Sequence, residues 1–387
     1  MRIICDYQDL VGSLTVMSGV VEDAMSSDDL KNIIFRITDG KKFEFIGVSQ
    51  LITYRLEFDN TKYRLEYAQE ENNVGVHYVQ IRSKELLAFL NSYKSVKRTR
   101  VSEVVFSTRG NKIDVSVMEE NLETALLTTC KYEYDNIPVK PNQSNFIEVK
   151  FDENAVQEPL DTTSVLFYMM SLSPILQNGS TLFSKMIFGE DKVVVFSTAF
   201  VSLLDNVLPS AFKGVVLTYK AVNFLRTVIC TSEAVTVSKT ARYICFKTAN
   251  AEAFVSYSES LPDYKLYLSM FIKDHAFVVD RYCFRELLKR LELSSDAVML
   301  TINADSLSVR NSKMNQEFPL LNTKNIDGIV GTTIKVMPEI LDKALIGDDN
   351  TFSPECFVYI NKTEKGCSLI FSDNSGSWFS IASIGGK

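Results

Sequence analysis

The sequence has few of the residues from which enzyme sites are commonly built. It contains two histidines, His77 and His275, and 16 glycines among 387 residues. Two histidines are too few for a histidine-rich metal site. No Ser, His and Asp residues have the spacing expected of a catalytic triad. No G-x-x-x-x-G-K-[ST] loop is present, and no G-x-G-x-x-G follows a strand pattern. We therefore predict a protein that is not an enzyme and that uses no metal and no cofactor.

Three carboxylates near one junction could still be proposed as acid/base residues. Asp263 directly follows Pro262, and Glu252 and Glu259 lie just before them. General acid/base catalysis needs a second group within hydrogen-bond reach of the same reacting atom. The sequence indicates no such convergent partner, so a structural role is favoured for all three.

The cysteines and the apolar runs exclude two further classes of protein. The seven cysteines are odd in number and scattered, and no C-x-x-C motif occurs, so we predict buried, reduced thiols. No segment approaches 18 consecutive apolar residues, the length expected of a membrane-spanning helix. The first residues, MRIICDYQDL, do not resemble a signal peptide. We therefore expect a cytoplasmic protein.

Positive charge is also not in excess. Lys and Arg total 41 against 48 Asp and Glu, which gives a net charge of −7. Hydrophobic residues make up 46% and charged residues 23%, as is typical of a folded globular protein. A protein whose whole surface binds nucleic acid is expected to be basic. If this chain contacts DNA, its basic residues must therefore be gathered on one surface.

What the sequence does contain is one pattern repeated three times. Short β-branched and aromatic segments, separated by Gly, Asp and Asn, predict many strands. Apolar residues at helical spacing predict two helices in each third of the chain, with Ser83 as the N-cap of the second. The predicted helices are 7–21, 82–97, 161–172, 220–230, 281–293 and 338–345.

This repeat predicts an α+β fold of three similar domains, 1–141, 142–272 and 273–387, with antiparallel sheets and two helices in each. A Pro-rich connector near 137–142 and a second near 273–274 separate them. Three unrelated α+β domains that alternate alike remain an alternative.

The basic residues concentrate on or next to four of the six predicted helices. Helices on one surface that faces phosphate would make Coulombic, sequence-independent contacts with DNA. Ordinary solvated helix faces are the alternative, and helices 7–21 and 161–172 carry almost no basic residues. The predicted DNA-binding residues are Lys84, Lys94, Lys97, Arg98, Arg100, Lys220, Arg226, Arg285, Lys289, Arg290 and Lys343.

Several motifs, in order along the chain, resemble a known family. The stretch S-E-S-L-P-D-Y-K-L at 258–266 resembles the F-P-D-Y connector between the second and third domains of bacterial beta sliding clamps. F-R-E-L-L-K-R at 284–290 resembles the first helix of their third domain. L-P-S at 208–210, followed by an apolar strand and Lys220, resembles their I-[LV]-P-x-K segment, and G-V-S at 47–49 resembles a strand of their first domain.

The resemblance implies a ring of two subunits, with twelve helices around a central hole and the sheets outside. Such a ring encircles duplex DNA without reading its sequence and tethers the replicative polymerase for processive synthesis. The polymerase and the clamp loader bind it through short peptides in an apolar pocket. Carried over by position, the pocket residues are Phe183, Thr198, Phe200, Leu203, Pro262, Tyr267, Ile381, Ser383 and Ile384.

The chain departs from the family pattern at two parts of this pocket. The family's D-G-H-R-L is A-F-V-S-L at 199–203, and its terminal M-P-x-R-L is replaced by A-S-I-G-G-K at 382–387. We hypothesise a divergent clamp, encoded by a phage and serving the phage's own polymerase in the host cytoplasm. Two alternatives are a clamp-like processivity factor that binds DNA as a monomer, and a repeat-built α+β protein with a structural or hydrolytic role.

Overall fold

A computed structural model gives the fold of this chain. It describes residues 1–21, 31–39, 41–66, 75–93, 99–139, 148–152, 154–176, 184–196, 200–205, 208–230, 232, 234–258, 275–293, 296–345, 352–363, 366–373 and 378–385. Within these residues six α-helices are present: α1 (Tyr7–Val21), α2 (Ser83–Asn91), α3 (Thr162–Leu176), α4 (Tyr219–Cys230), α5 (Arg281–Glu292) and α6 (Pro338–Ala344).

The rest of the described chain is dominated by β-strands. The first fourteen are β1 (Arg2–Asp6), β2 (Asn32–Thr38), β3 (Lys42–Val48), β4 (Ile52–Glu57), β5 (Tyr63–Glu66), β6 (Val76–Arg82), β7 (Thr99–Arg109), β8 (Lys112–Asn121), β9 (Leu127–Asp135), β10 (Glu158–Pro159), β11 (Lys185–Phe188), β12 (Lys192–Phe196), β13 (Phe200–Asp205) and β14 (Val215–Thr218). The others are β15 (Thr236–Lys239), β16 (Tyr243–Lys247), β17 (Ala251–Ser256), β18 (Ala276–Asp280), β19 (Val298–Ile302), β20 (Ser306–Arg310), β21 (Asn315–Pro319), β22 (Asn322–Lys324), β23 (Thr333–Val336), β24 (Glu355–Thr363), β25 (Gly366–Ser372) and β26 (Trp378–Gly385).

The chain forms two compact units. Unit 1 is Met1–Leu160 with Thr227–Tyr257, and unit 2 is Asp161–Arg226 with Ser258–Lys387, so the division falls inside α4. Strands of the predicted second domain are shared between the units: β17 pairs with β4 of the predicted first domain, and β13 pairs with β26 of the predicted third. The three-domain division itself stays a prediction.

Unit 1 contains a five-stranded sheet, in the order β5-β1-β7-β8-β9, and an eight-stranded sheet, in the order β10-β15-β16-β17-β4-β3-β2-β6. All neighbouring strands are antiparallel. α1 packs on β3 at Gly47, where an added Cβ would lie 3.2 Å from the Met17 sulfur. Residues of β3 that alternate with Gly47, namely Glu44, Ile46 and Val48, therefore face away from α1.

The core of unit 1 lies on the α1 side of these sheets and is aromatic. Phe35, Phe43, Phe45 and Phe106 are fully buried. Phe35 contacts the other three rings edge-on, with centroids 5.1–5.8 Å apart. Edge-to-face pairs add to the free energy that burial of the ring area supplies. The period-2 pattern of β2 and β3 places Phe35, Phe43 and Phe45 on one face of the eight-stranded sheet, and Phe106 contacts them from β7 of the five-stranded sheet.

Residues that follow β9 in the chain cover part of the other face of the same sheet. Val139 packs against a cluster of Ile34, Ile46 and Val48. Further along, Val149 packs against the cluster that contains Phe151 and its neighbours on β16 and β17. The connector near 137–142 is therefore, in its described part, a packed segment rather than a solvated linker.

Unit 2 contains a nine-stranded sheet, in the order β14-β11-β12-β13-β26-β25-β24-β18-β22, and a four-stranded sheet, in the order β21-β20-β19-β23. α5 and α6 pack against each other. α5 begins after Asp280, whose side chain accepts a hydrogen bond from the Cys283 backbone N–H at 2.8 Å, as expected of an N-cap. α6 has Pro338 in its first turn, where a missing N–H is tolerated.

The six predicted helices are confirmed, with ends that differ by a few residues except in α2. That helix ends at Asn91 rather than 97, and its N-cap is Arg82 rather than Ser83. Ser83 is fully buried, and its hydroxyl makes no hydrogen bond within the described part of the chain. The N-cap prediction was wrong because Ser83 already belongs to the helix and points into the core.

All seven cysteines lie in the described residues and are unpaired, as predicted. Three of them, Cys130, Cys230 and Cys283, are exposed rather than buried, so the prediction of buried thiols was wrong for these. Cys130 lies on the edge strand β9, and Cys230 and Cys283 lie at exposed positions of α4 and α5. Among the described residues, no helix is both long and apolar enough to cross a membrane.

Candidate functional site

Three of the predicted DNA-binding residues are exposed on helices. Lys84 lies on α2, and Lys289 and Arg290 lie in the last turn of α5. Lys289 pairs with Glu286 one turn earlier at 3.0 Å, a solvent-exposed ion pair. Lys84 and Arg290 make no ion pair with any described residue. Solvent-exposed ion pairs contribute little to the free energy of folding. A DNA phosphate could therefore replace Glu286 as the partner of Lys289 at a small cost in stability.

Four other predicted DNA-binding residues are half-buried and have contacts within the protein. Arg285 of α5 lies 3.0 Å from Asp342 of α6 and also donates to the Leu345 carbonyl at the end of α6. Its side chain is 11% exposed. Lys343 pairs with Glu339 one turn earlier on α6. Arg285 therefore holds α5 to α6, whatever else it contacts.

The remaining two half-buried cations, Lys220 and Arg226, lie on α4, where Arg226 donates to the Asn223 side chain at 2.9 Å. Arg100 lies on a strand rather than a helix: it is exposed on β7, opposite Glu120 of β8. Lys94, Lys97 and Arg98 lie outside the described residues. The DNA-binding role of these residues stays a prediction.

The strands β13 and β26 carry five of the predicted pocket residues and are hydrogen-bonded neighbours in unit 2. In this register Phe200 lies opposite Ala382, and Val201 lies opposite Ile381. Leu203 is 4% exposed, in an apolar cluster with Val201 and others. The full cluster is Ile187, Val194, Val201, Leu203, Val216 and Ile370, with Phe196 and Tyr359 packed against it.

Strand alternation divides the five residues between two faces of the sheet. Leu203, Ile381 and Ser383 occupy register positions of the face that carries the apolar cluster. Phe200 and Ile384 occupy positions of the opposite face. Phe183, Thr198, Pro262 and Tyr267 lie outside the described residues. Leu203 and Ile381 therefore occupy register positions on one face of the sheet, and the pocket assignment stays a prediction.

One edge strand of unit 1 exposes two large apolar side chains. β9 is the last strand of the five-stranded sheet, and no described strand pairs with its outer side. Leu127 is 65% and Tyr132 49% exposed on it. Tyr132 also contacts Phe89 of α2, with ring centroids 5.5 Å apart. An exposed apolar edge strand is a template for pairing with another chain.

The candidate acid/base carboxylates form no catalytic set among the described residues. Glu252 lies 3.4 Å from Arg55 and 3.5 Å from Lys247, as part of ion pairs. Asp263 and Glu259 lie outside the described residues. No group of three or more His, Cys, Asp or Glu side chains suited to a metal ion occurs in the ranges described.

Sequence reasoning missed the ion-pair network on the eight-stranded sheet. Arg36, Glu44 and Arg55 each interrupt an apolar strand, at positions that alternate with core residues. That alternation predicts a shared face opposite the core. It does not predict that β17 would bring Glu252 to them.

No protein-family model and no curated protein matches this chain. Solved structures do match over its whole length. A sliding clamp (DNA polymerase III subunit beta) from Bartonella birtlesii, bound to griselimycin, superposes with a TM-score of 0.72 at 15% identity, covering 100% of this chain and 99% of that one. The chain has the fold of a bacterial sliding clamp.

Two other clamp structures agree with this assignment. The DNA polymerase III beta subunit of Borrelia burgdorferi gives a TM-score of 0.70 at 12% identity, and the sliding clamp of Bacillus subtilis gives 0.70 at 13%. Each alignment covers 100% of this chain and at least 98% of the other. The predicted clamp fold is thereby confirmed.

Proposed function

We propose that this chain is a DNA sliding clamp: two copies close a ring around duplex DNA and tether the replicative polymerase, without catalysis. The full-length likeness to solved clamps carries the proposal, because the alignments span the complete chains rather than one shared domain. A clamp acts on replicating DNA, so we place this one in the bacterial cytoplasm.

The ring is supported by the sheet edges. β9 ends one sheet of unit 1, and β21 and β23 end the four-stranded sheet of unit 2. Pairing β9 of one copy with an edge strand of the four-stranded sheet of another would make a head-to-tail contact, which can close into a ring. It would also remove the exposed edge, with Leu127 and Tyr132, from solvent.

Contact with DNA would be electrostatic and independent of sequence. Lys84, Lys289 and Arg290 are the cations best placed among the described residues, because they are exposed on helices. A closed ring stays on DNA by topology, so a few weak phosphate contacts suffice and leave it free to slide. The net charge of −7 is compatible with this mode of binding.

Partner peptides would bind on the apolar face of the β13–β26 region in unit 2. Phe196 and Tyr359, the partly buried residues packed against the cluster around Leu203, offer apolar anchoring positions, and interface energy is commonly concentrated at a few such positions. The departures at 199–203 and 382–387 lie on these two strands, so we propose that the preferred peptide differs from that of bacterial clamps.

The decisive experiment measures ring closure and retention on DNA together. We expect a dimer by sedimentation, a ring in particle images, and retention on circular DNA that is lost when the DNA is linearised. Leu127→Asp with Tyr132→Asp should weaken the dimer by at least about 100-fold, because charges on the edge oppose strand pairing. Val156→Asp, at another exposed apolar residue of unit 1, is the matched control.

A chain that stays monomeric at all concentrations yet supports processive synthesis would favour the monomeric processivity factor instead. A ring that is retained equally on linear and circular DNA would remove the topological mechanism.

A further inference from the structure

The exposed face of the four-stranded sheet in unit 2 carries a shallow depression that the clamp proposal does not use. Its volume is about 860 Å³. The opposite face of this sheet is buried against α5, where Phe284 contacts Phe318 of β21 with ring centroids 5.6 Å apart. Because side chains alternate along a strand, the other set of side chains lines the depression and is open to solvent.

The strand register arranges four of the lining residues in one row across the sheet. Met299 of β19 lies opposite Arg310 of β20 on one side and opposite Lys335 of β23 on the other. Asn315 of β21 extends the row beyond Arg310. Neighbouring strands are about 4.8 Å apart, so the backbones that carry the two cations are about 9.6 Å apart. The centre of the row is therefore a thioether between two cations.

The two cations of this row are accessible and uncompensated. Arg310 and Lys335 are exposed, and neither forms an ion pair with any described residue. Among the described residues, Glu317 is the only carboxylate that lines the depression. It accepts hydrogen bonds from Ser306 at 2.7 Å and from Asn303 at 3.3 Å. On a chain with a net charge of −7, this row is a local excess of positive charge.

Met299 gives the row an apolar centre. The residue is 39% exposed, whereas its chain neighbours Val298 and Leu300 are buried in the core. The methionine side chain is flexible and polarisable, and it is frequent at surfaces that bind varied peptides. A ligand that matches the row must therefore present negative charge on both sides of an apolar group.

A second row, of hydroxyl groups, lies beside the first. Thr301 lies between Ser308 and Thr333, and the Oγ1 atoms of the two threonines are 3.0 Å apart. Hydroxyl groups donate and accept hydrogen bonds, so they suit the N–H and C=O groups of an extended peptide. Two cations are few for a nucleic acid, because its non-specific binding depends on many phosphate contacts. The two rows therefore favour a peptide.

We propose that this face docks an extended acidic segment of a partner protein, in which two carboxylates flank an apolar residue at alternate positions. Alternate residues of an extended chain share one face, so the three side chains meet Arg310, Met299 and Lys335 in turn. Alternate residues are about 6.7 Å apart and the strands about 4.8 Å, a difference that the long side chains of Arg310 and Lys335 span.

The docking face is distinct from the edges of the same sheet. Hydrogen bonds at the edge of β23 lie in the plane of the sheet, whereas the side chains of the row stand perpendicular to it. Pairing at that edge would therefore leave the row open. The proposal does not depend on ring closure or on DNA binding.

Fluorescence anisotropy of the full chain with a labelled peptide tests the site. The probe is Gly-Glu-Ser-Leu-Ser-Glu-Gly, blocked at both ends and carrying an uncharged dye. We expect saturable binding that weakens as salt is added. Arg310→Glu with Lys335→Glu should weaken it by at least about tenfold, because both positions then repel the peptide.

A matched control variant makes the same change of charge elsewhere. Arg242→Glu with Lys324→Glu replaces one arginine and one lysine at exposed positions outside the depression. It should change the affinity by less than about twofold at physiological salt, where distant charges are screened. Equal weakening in the control would show that net charge alone attracts the peptide, and it would overturn the proposal.

Two altered peptides test the same contacts without changing the protein. Replacing both glutamates by glutamine should weaken binding by at least about tenfold, and replacing the leucine by asparagine by roughly threefold. These peptides decide the matter if the charge-reversed chain fails to fold by circular dichroism. Unchanged affinity of the glutamine peptide overturns the proposal.

Two further results would also overturn it. One is the absence of saturable binding of the acidic peptide by the wild-type chain. The other is tighter binding of a thymidine oligonucleotide than of the peptide, lost in Arg310→Glu with Lys335→Glu, because that would assign the face to nucleic acid.

Discussion

Two antiparallel strand pairs, β4 with β17 in unit 1 and β13 with β26 in unit 2, have the same kind of topology but different side chains; each pair is called a seam below. Each joins strands far apart in sequence: Arg55 and Glu252 are 197 residues apart, and Ser202 and Ser380 are 178 apart. The first seam carries an ion pair on one face. The second carries an apolar cluster on one face, with a buried hydrogen bond of 2.6 Å between the two serines on the other.

The difference in side chains determines what kind of ligand each face of the two seams can bind. An apolar face gains free energy when it buries side chains of a partner. A face of buried charges must keep its ion pairs satisfied, and burial of an unpaired charge is costly. We therefore expect unit 2 to hold apolar peptides, and unit 1 to respond to ions and pH.

The largest expected effect breaks the charged seam. Glu252→Ala leaves the buried guanidinium of Arg55 without its carboxylate partner and should lower the local stability of unit 1 by about 3 kcal/mol. Ser202→Ala, at the corresponding seam of unit 2, should cost only about 1 kcal/mol, since one neutral hydrogen bond is lost. Hydrogen exchange of β17 and β13 peptides measures the two seams separately. Equal losses would show that the seams are equivalent despite their chemistry.

Next in size is the effect on partner peptides. Pro262→Ala with Ile381→Ala should weaken binding of the cognate polymerase's C-terminal peptide by about tenfold, because apolar anchors are truncated. Val48→Ala, in the apolar cluster on the sheet of unit 1, is the control and should leave the affinity unchanged. Unchanged affinity in the double variant would mean that the pocket lies elsewhere.

The same peptide assay tests the proposed origin. We expect the peptide of a phage polymerase to bind more tightly than that of a bacterial host. Tighter binding of the host peptide would count against the phage hypothesis.

A smaller effect separates DNA contacts from helix contacts within unit 2. Lys289→Ala with Arg290→Ala should reduce duplex binding by roughly threefold at low salt and lower the salt slope by about 1 per lost phosphate contact. Arg285→Ala should instead lower the melting temperature, because Arg285 joins α5 to Asp342 and the end of α6. A salt slope that the double variant leaves intact would remove both residues from the DNA-binding set.

The smallest effect is a pH dependence confined to the charged face. Burial alone would raise the pKa of Glu44, but the hydrogen bond and charge of Arg36, with Lys42, hold it below its ordinary value of 4.5. A carboxyl with a lowered pKa stabilises the fold above its unfolded-state value and loses that contribution as the pH falls through its folded-state value. Thermal stability should therefore decrease below about pH 4.5, and Glu44→Gln should flatten that decrease.

The sequence predicted the elements better than their ends. The apolar stripe of α5, with Phe284, Leu287, Leu288 and Leu291 buried, follows directly from helical spacing. Ser83 misled because a serine before an apolar stripe has the signature of an N-cap, whereas burial placed it inside the helix. Exposure of Cys130 on β9 could not be predicted, because it depends on β9 being an edge strand.

The candidate sites were predictable in outline only. The predicted helix positions correctly indicated that Lys84, Lys289 and Arg290 are exposed. Arg285 lies on α5 with Lys289 and Arg290, but it contacts Asp342 of α6, and helical spacing does not reveal that contact. The resemblance to the clamp family assigned residues of β13 and β26 to one predicted pocket. Their register, which puts Leu203 with Ile381 and Phe200 on the other face, required the structure.

By itself the sequence determined the local conformations, since the 3.6-residue and two-residue periods of its apolar residues specify helices, strands and the face each one buries. Only the tertiary structure decided which strands became neighbours. A two-residue period specifies which side of a strand is buried, but it does not specify which strand lies beside it. The contacts Arg55–Glu252 and Ser202–Ser380 join residues nearly 200 positions apart, and they form only through the packing of each whole unit.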